Sequence, residues 1–101
     1  MTANQTAPRT LADVLARRDE ILDAAARHGA RNVRVFGSIV RGEADERSDL
    51  DLLVEMEPGR SLLDLAGLHL ELEEMLGCEV DIGTKIKPRL RERIEVEAVP
   101  L

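Results

Sequence analysis

Aromatic side chains are almost absent from this sequence. It holds no Trp, no Tyr and a single Phe, Phe36, in 101 residues. A core without aromatics has to be built from Leu, Ile, Val and Ala. The 44% hydrophobic content provides enough of them for one domain with a modest core. Cysteine occurs once, as Cys78, which excludes an internal disulfide and suits a reducing cytoplasm. No apolar run is long enough to cross a membrane, and no apolar segment of signal-peptide type stands near the N-terminus. A cytoplasmic chain without membrane contact is therefore expected. Lysine is scarce: only Lys85 and Lys87 stand among 14 cationic residues. The arginine bias suits bidentate contacts with phosphate or carboxylate, and it fits a genomic bias equally well. The net charge of −6 argues against a general nucleic-acid binder, although a local basic site is compatible with it.

What is present concentrates in one stretch, Val33 to Val54, VRVFGSIVRGEADERSDLDLLV. Val33 to Phe36 alternates as a short strand, with Val33 and Val35 on one face. Gly37-Ser38 follows at once. A glycine directly after a strand lets the backbone turn tightly and approach a ligand. Ser38 is expected to cap a short helix over Ile39 to Arg41, whose first N–H groups would form a phosphate cradle. Arg41 adds a fixed positive charge one turn on. The charged connection Gly42 to Ser48 reads as a surface turn between antiparallel strands. Leu50 to Met56 is the second strand, with Leu50, Leu52 and Val54 on one face. Asp49 and Asp51 share the other face, with Cα atoms about 6.6–7 Å apart. Two carboxylates held side by side repel each other, and no cationic residue lies between them. A divalent cation is the usual remedy, and magnesium favours carboxylates combined with substrate phosphates. Each piece alone has a plain reading as a turn glycine, a helix cap or a solvated strand end. Their order is what points to a metal-nucleotide site.

Gly37-Ser38, ten further residues, then Asp49-Leu50-Asp51 resembles the signature of the polymerase-beta-like nucleotidyltransferase superfamily. The fuller form FGSIVRGEADERSDLDLLV resembles the minimal nucleotidyltransferases (MNT), small chains often paired as antitoxins with HEPN-domain toxins. The resemblance implies a small α/β (α+β) fold, a mixed sheet with flanking helices. It implies Asp49, Asp51 and Asp81 as catalytic and metal-binding carboxylates, with magnesium and ATP as the nucleotide substrate. Gly37 and Ser38 would hold the β- and γ-phosphates. Arg41 would steady pyrophosphate or face the partner. Ser48 would orient an Asp carboxylate or contact the nucleotide, and capping its own loop is an equal alternative. The implied activity is transfer of AMP to a tyrosine of a HEPN ribonuclease toxin, in a hetero-oligomer with that toxin. A non-catalytic antitoxin that acts by occlusion and a small-molecule nucleotidyltransferase are the rival readings. Direct nucleic-acid binding is not expected.

The rest of the chain frames this stretch. Residues 1–9 are polar and expected to fray, leaving one domain over 10–101. Thr10, with Asp13 in a capping box, opens a helix from Leu11 to about His28. Pro58-Gly59 breaks the chain, and Ser61 with Asp64 caps a second helix that ends at Gly77. Its leucines Leu62, Leu65, Leu68, Leu72 and Leu76 repeat at helical spacing. His69 lies beside that stripe as a boundary or interface side chain. Cys78 to Ile82 forms a third strand, with Val80 and Ile82 on one face and Glu79 and Asp81 on the other. Cys78 itself reads as a small buried hydrophobe. A final helix is expected from Pro88 to Ala98. The order is α-β-α-β-α-β-α, with the Val33 and Leu50 strands antiparallel and a helix crossing to the Val80 strand.

Overall fold

The structure, a computed structural model, describes residues 7–45, 47–84 and 97–101. Helix α1 (Leu11–Ala16) opens at the expected capping box. The Asp13 N–H donates to Thr10 Oγ1 at 3.1 Å, and the Asp13 carboxylate accepts the Thr10 N–H at 3.2 Å. The single helix expected to run to His28 is interrupted at Arg17, and α2 spans Arg18–Arg27. No glycine or proline stands at the break. Arg17 leaves helical geometry at φ −110° and ψ 18°. Its Nη2 donates to Glu20 at 2.8 Å and to the carbonyl of Met75 at 3.1 Å. The kink is held by a distant backbone carbonyl, which no local pattern encodes.

Four strands form one mixed sheet in the order β3-β2-β1-β4. Strand β1 (Ala30–Phe36) runs antiparallel to β2 (Leu50–Met56), and the short helix α3 (Ser38–Arg41) lies in their connection. Helix α4 (Leu62–Leu76) then crosses to β3 (Val80–Gly83), which pairs parallel with β2. A two-residue strand, β4 (Val99–Pro100), closes the other edge antiparallel to β1. Strand β1 starts at Ala30 rather than Val33, because a register shift between Arg31 and Arg34 lets its first residues pair with the end of β2. Asn32 takes the positive φ of 51° within that bulge. No pattern in the sequence marks strand β4. Pro100 has no N–H to donate, so an edge strand is the place that tolerates it. Leu101 anchors the segment: its N–H donates to Val33 O at 2.9 Å, its carbonyl accepts from Arg18 Nε, and its side chain is buried. The expected helix over Pro88 to Ala98 falls largely on 85–96, outside the described residues.

The alternation of β2 sets the core. Leu50, Leu52 and Val54 are buried against Val14, Ile21, Ala24 and Ala25 from the N-terminal helices and Leu68, Leu72 and Leu76 from α4. The second capping box forms as expected, with the Ser61 N–H donating to Asp64 Oδ2 at 2.9 Å. Gly77 caps the far end of α4 at φ 69°. The leucine stripe of α4 is shorter than its spacing implies. Leu62 is 81% exposed, because the first turn of α4 extends beyond the main core. His28 caps α2 and bonds Glu71 at 2.8 Å, so it ties α2 to α4. Cys78 is a free thiol, half-buried rather than fully enclosed. Burial, ahead of the nearby Glu73 carboxylate, pushes its pKa up and leaves it a weak nucleophile. Among the described residues no helix is long and apolar enough to cross a membrane.

Leu72 and Leu62 separate core from rim. Leu72→Ala is expected to lower stability by about 2–5 kcal/mol, as for a buried leucine that leaves a cavity. Leu62→Ala is expected to stay within about 0.5 kcal/mol of wild type. Urea unfolding of both variants checks the pair, and equal losses would contradict this packing.

Candidate active site

The strand register assembles the site. Phe36 pairs with Asp51 across β1 and β2, and Asp51 pairs with Asp81 across β2 and β3. Neighbouring strands lie about 4.8 Å apart, and paired residues point to the same face. Asp51 therefore stands between the end of β1 and the Asp81 carboxylate. Gly37, the next residue after Phe36, presses against it. A Cβ built on Gly37 would lie 2.1 Å from Asp51 Oδ2 and 2.9 Å from its Cγ. Gly37 also holds φ 85° and ψ −156°, where a side chain is strained. Two independent constraints thus demand glycine beside this carboxylate.

Asp49 sits just before β2 and is exposed. The Leu50 N–H donates to Glu79 O at 2.9 Å, which places the Glu79 side chain beside Asp49. A hydrogen bond to Asp49, reinforced by its charge, pushes the Glu79 carboxyl above its ordinary pKa. Burial, followed by the charges of Asp81 and Asp49, pushes the Asp51 carboxyl up as well, against the opposing pull of Arg41. The result is a two-by-two array of carboxylates: Asp49 with Glu79, and Asp51 with Asp81. In the sequence Glu79 shows only as a residue on the same face as Asp81. Its signal was its position two residues before Asp81 on one strand, which becomes informative once β3 is known to pair parallel with β2.

Ser38 does not cap α3. Gly37 holds the cap position with no side-chain hydrogen bond, and Ser38 is the first helical residue. The tight turn after β1 draws the glycine, with its left-handed φ, into that role. Arg41 extends from the end of α3 toward carboxylates on both sides. Its Nε donates to Glu43 at 2.9 Å, and its Nη1 donates to Glu97 at 2.9 and 3.1 Å. Glu97 also accepts the Gly37 N–H at 3.0 Å. No sequence signal linked Glu97 to Gly37, 60 residues apart. Ser48 caps its own loop: its Oγ accepts the Asp45 N–H at 3.0 Å and donates to Asp45 Oδ1 at 3.2 Å. Two cavities flank the array. One of about 370 Å³ borders Ser48, Asp49, Cys78 and Glu79. One of about 310 Å³ lies between α4 and β3, lined by Leu62, Leu65, Ala66, His69, Asp81 and Ile82.

Among the described residues no three ligating side chains are already converged into a metal cage. The donor set nevertheless fits a hard divalent cation. It is all oxygen, it is crowded with like charge at Asp51, and it has open sides on which substrate oxygens complete the coordination. In the metal-free chain the raised Asp51 pKa means that its ionised form costs stability. That contribution is favourable below the ordinary carboxylate range and is lost as pH rises through the raised value. Asp51→Asn should therefore melt above wild type at neutral pH without metal. Its advantage should fade as pH falls through the carboxylate range, and magnesium should narrow the gap by stabilising wild type alone. Thermal melts across pH, with and without magnesium, check all three directions.

Known proteins identify the family of this chain. A nucleotidyltransferase domain family model matches residues 18–101. A candidate protein adenylyltransferase of Methanocaldococcus jannaschii is 49% identical over 82 residues, 79% of this chain and 88% of that protein. The protein adenylyltransferase MntA of Thermococcus cleftensis is 51% identical over 59 residues, 58% of this chain and 60% of that protein. A solved structure described as a candidate minimal nucleotidyltransferase is 56% identical, with a TM-score of 0.80, covering 91% of this chain and 96% of that one. A toxin-antitoxin structure with AMP-PNP shares the fold at a TM-score of 0.68 and 17% identity, covering 81% of this chain and 69% of that one. With the strand-borne carboxylates and Gly37 in place, these likenesses settle the assignment: the chain belongs to the nucleotidyltransferase family, in its minimal class, and is a nucleotidyltransferase enzyme.

Proposed function

We propose that the chain is an antitoxin that transfers AMP from ATP to a tyrosine hydroxyl of a HEPN-domain toxin and silences it. The observation that carries this reading is the register that sets Asp51 beside Asp81 with Gly37 packed on Asp51. Relatives named as protein adenylyltransferases support a protein acceptor. The fold shared with a toxin-antitoxin structure holding AMP-PNP supports a toxin as that acceptor and a nucleotide as donor.

Asp49, Asp51 and Asp81 would hold magnesium, which would bind the triphosphate and stabilise charge on the entering and leaving oxygens. Gly37 and Ser38 would hold the β- and γ-phosphates, with Arg41 near the departing pyrophosphate. Ser48 would act indirectly, by holding the loop that leads into Asp49. Asp81 also borders the cleft beneath α4, where an apolar lining suits a tyrosine ring and the carboxylate meets its hydroxyl. In the reaction the acceptor oxygen bonds to the α-phosphorus, the bond from that phosphorus to the bridging oxygen breaks, and pyrophosphate leaves. The acceptor proton passes to Asp81 and then to water.

Incubation with labelled ATP, magnesium and the partner toxin tests the reading, with mass spectrometry to count added AMP. Asp81→Asn keeps the side-chain shape and removes the charge. It is expected to lower AMP transfer by about 10²–10⁴-fold, the usual loss with a general base, while gel filtration still shows the complex. Wild-type transfer by Asp81→Asn would refute the role of Asp81. Full neutralisation of the toxin with no AMP added by either protein would favour occlusion, the reading that the exposed Leu62, Leu63 and Leu70 also accommodate.

A further inference from the structure

Glu97 occupies the groups that the proposed function assigns to phosphate. Its carboxylate accepts the Gly37 N–H at 3.0 Å and two contacts from Arg41 Nη1 at 2.9 and 3.1 Å. Its side chain is only 17% exposed, against 37% for Arg41. The contact is therefore sheltered rather than a loose surface pair. A backbone N–H offers one proton and makes one strong hydrogen bond. Gly37 cannot serve Glu97 and a phosphate oxygen together. An incoming triphosphate must take the place of Glu97 on the N–H, and it must share or take the guanidinium. Carboxylate and phosphate oxygens make the same charge-assisted bonds to these donors, so the exchange is like for like. A bare anion gains little from it. A nucleotide that also brings a divalent cation gains the contacts to Asp49, Asp51 and Asp81.

We propose that Glu97 is a specificity-determining residue, a resident carboxylate that closes the phosphate donors to free anions and admits a metal-bound polyphosphate. This rests on the reading of Gly37 and Arg41 as phosphate ligands. It assigns Glu97 a role in selecting the ligand, separate from the chemistry at the carboxylates.

The test is calorimetry of the full chain with two probes, magnesium-ATP and inorganic pyrophosphate in EDTA. Glu97→Gln keeps the size and removes the charge, while Glu97→Ala removes the group. Neither touches the main core, and circular dichroism checks the fold of each. Wild type is expected to bind magnesium-ATP and to bind metal-free pyrophosphate weakly. Both variants are expected to bind metal-free pyrophosphate at least about tenfold more tightly than wild type, the scale of one charge-assisted hydrogen bond. Their preference for magnesium-ATP over pyrophosphate should narrow accordingly. If wild type binds magnesium-ATP but the variants bind pyrophosphate no more tightly, the inference fails and the proposed function stands. If no protein binds magnesium-ATP, both fail.

Discussion

The crowding of carboxylates around Asp51 is the constraint on which the rest of this structure depends. Asp51 has Asp81 across one strand boundary and Gly37 across the other, and burial adds to the difficulty of keeping it charged. Left to itself such a group would relax outward. It stays because β2 has no freedom of register. Leu50, Leu52 and Val54 are each almost fully buried on the opposite face, and a one-residue slip would turn all three to the wrong side. The aliphatic core is thus what holds like charges together. The same logic explains Gly37. With Asp51 fixed, the residue after β1 must present no side chain, and only glycine meets that demand at φ 85°.

Much of this was legible from residues alone because it is local. Period-two alternation located β2 from Leu50 to Met56, and two capping boxes located the starts of α1 and α4. The spacing of Gly37, Asp49 and Asp51 marked one site before any strand was paired. What escaped the sequence depends on contacts between distant segments. At the kink the Arg17 side chain reaches the carbonyl of Met75, and β4 forms because β1 offers a free edge to Val99 and Pro100. Ser38 had the right chemistry for a cap, but the turn geometry gave the cap position to Gly37. Glu79 gained its meaning only from parallel pairing, which alternation within one strand cannot reveal. Asp81 was placed by likeness to a family pattern, and the register then set it directly opposite Asp51.

A chain this small divides its surface between tasks. The core face of the sheet is covered by α1, α2 and α4, so the carboxylates lie where strands β1, β2 and β3 meet the loops. Helix α4 serves both sides of that division. Its Leu68, Leu72 and Leu76 fill the core, while Leu62, Leu63 and Leu70 are exposed at 81%, 83% and 65%. Leu62 also lines the cleft that contains Asp81. Apolar side chains left in water contribute nothing to folding. They acquire a favourable term only when another surface covers them. That term would favour an acceptor large enough to cover leucines as well as present a hydroxyl, and so a protein over a small metabolite. A free small-molecule acceptor at Asp81 would cover Leu62 at most and leave Leu63 and Leu70, outside the cleft, wet. The placement of the leucines is thus a physical reason, independent of likeness to relatives, to favour the protein-acceptor reading over a small-molecule one.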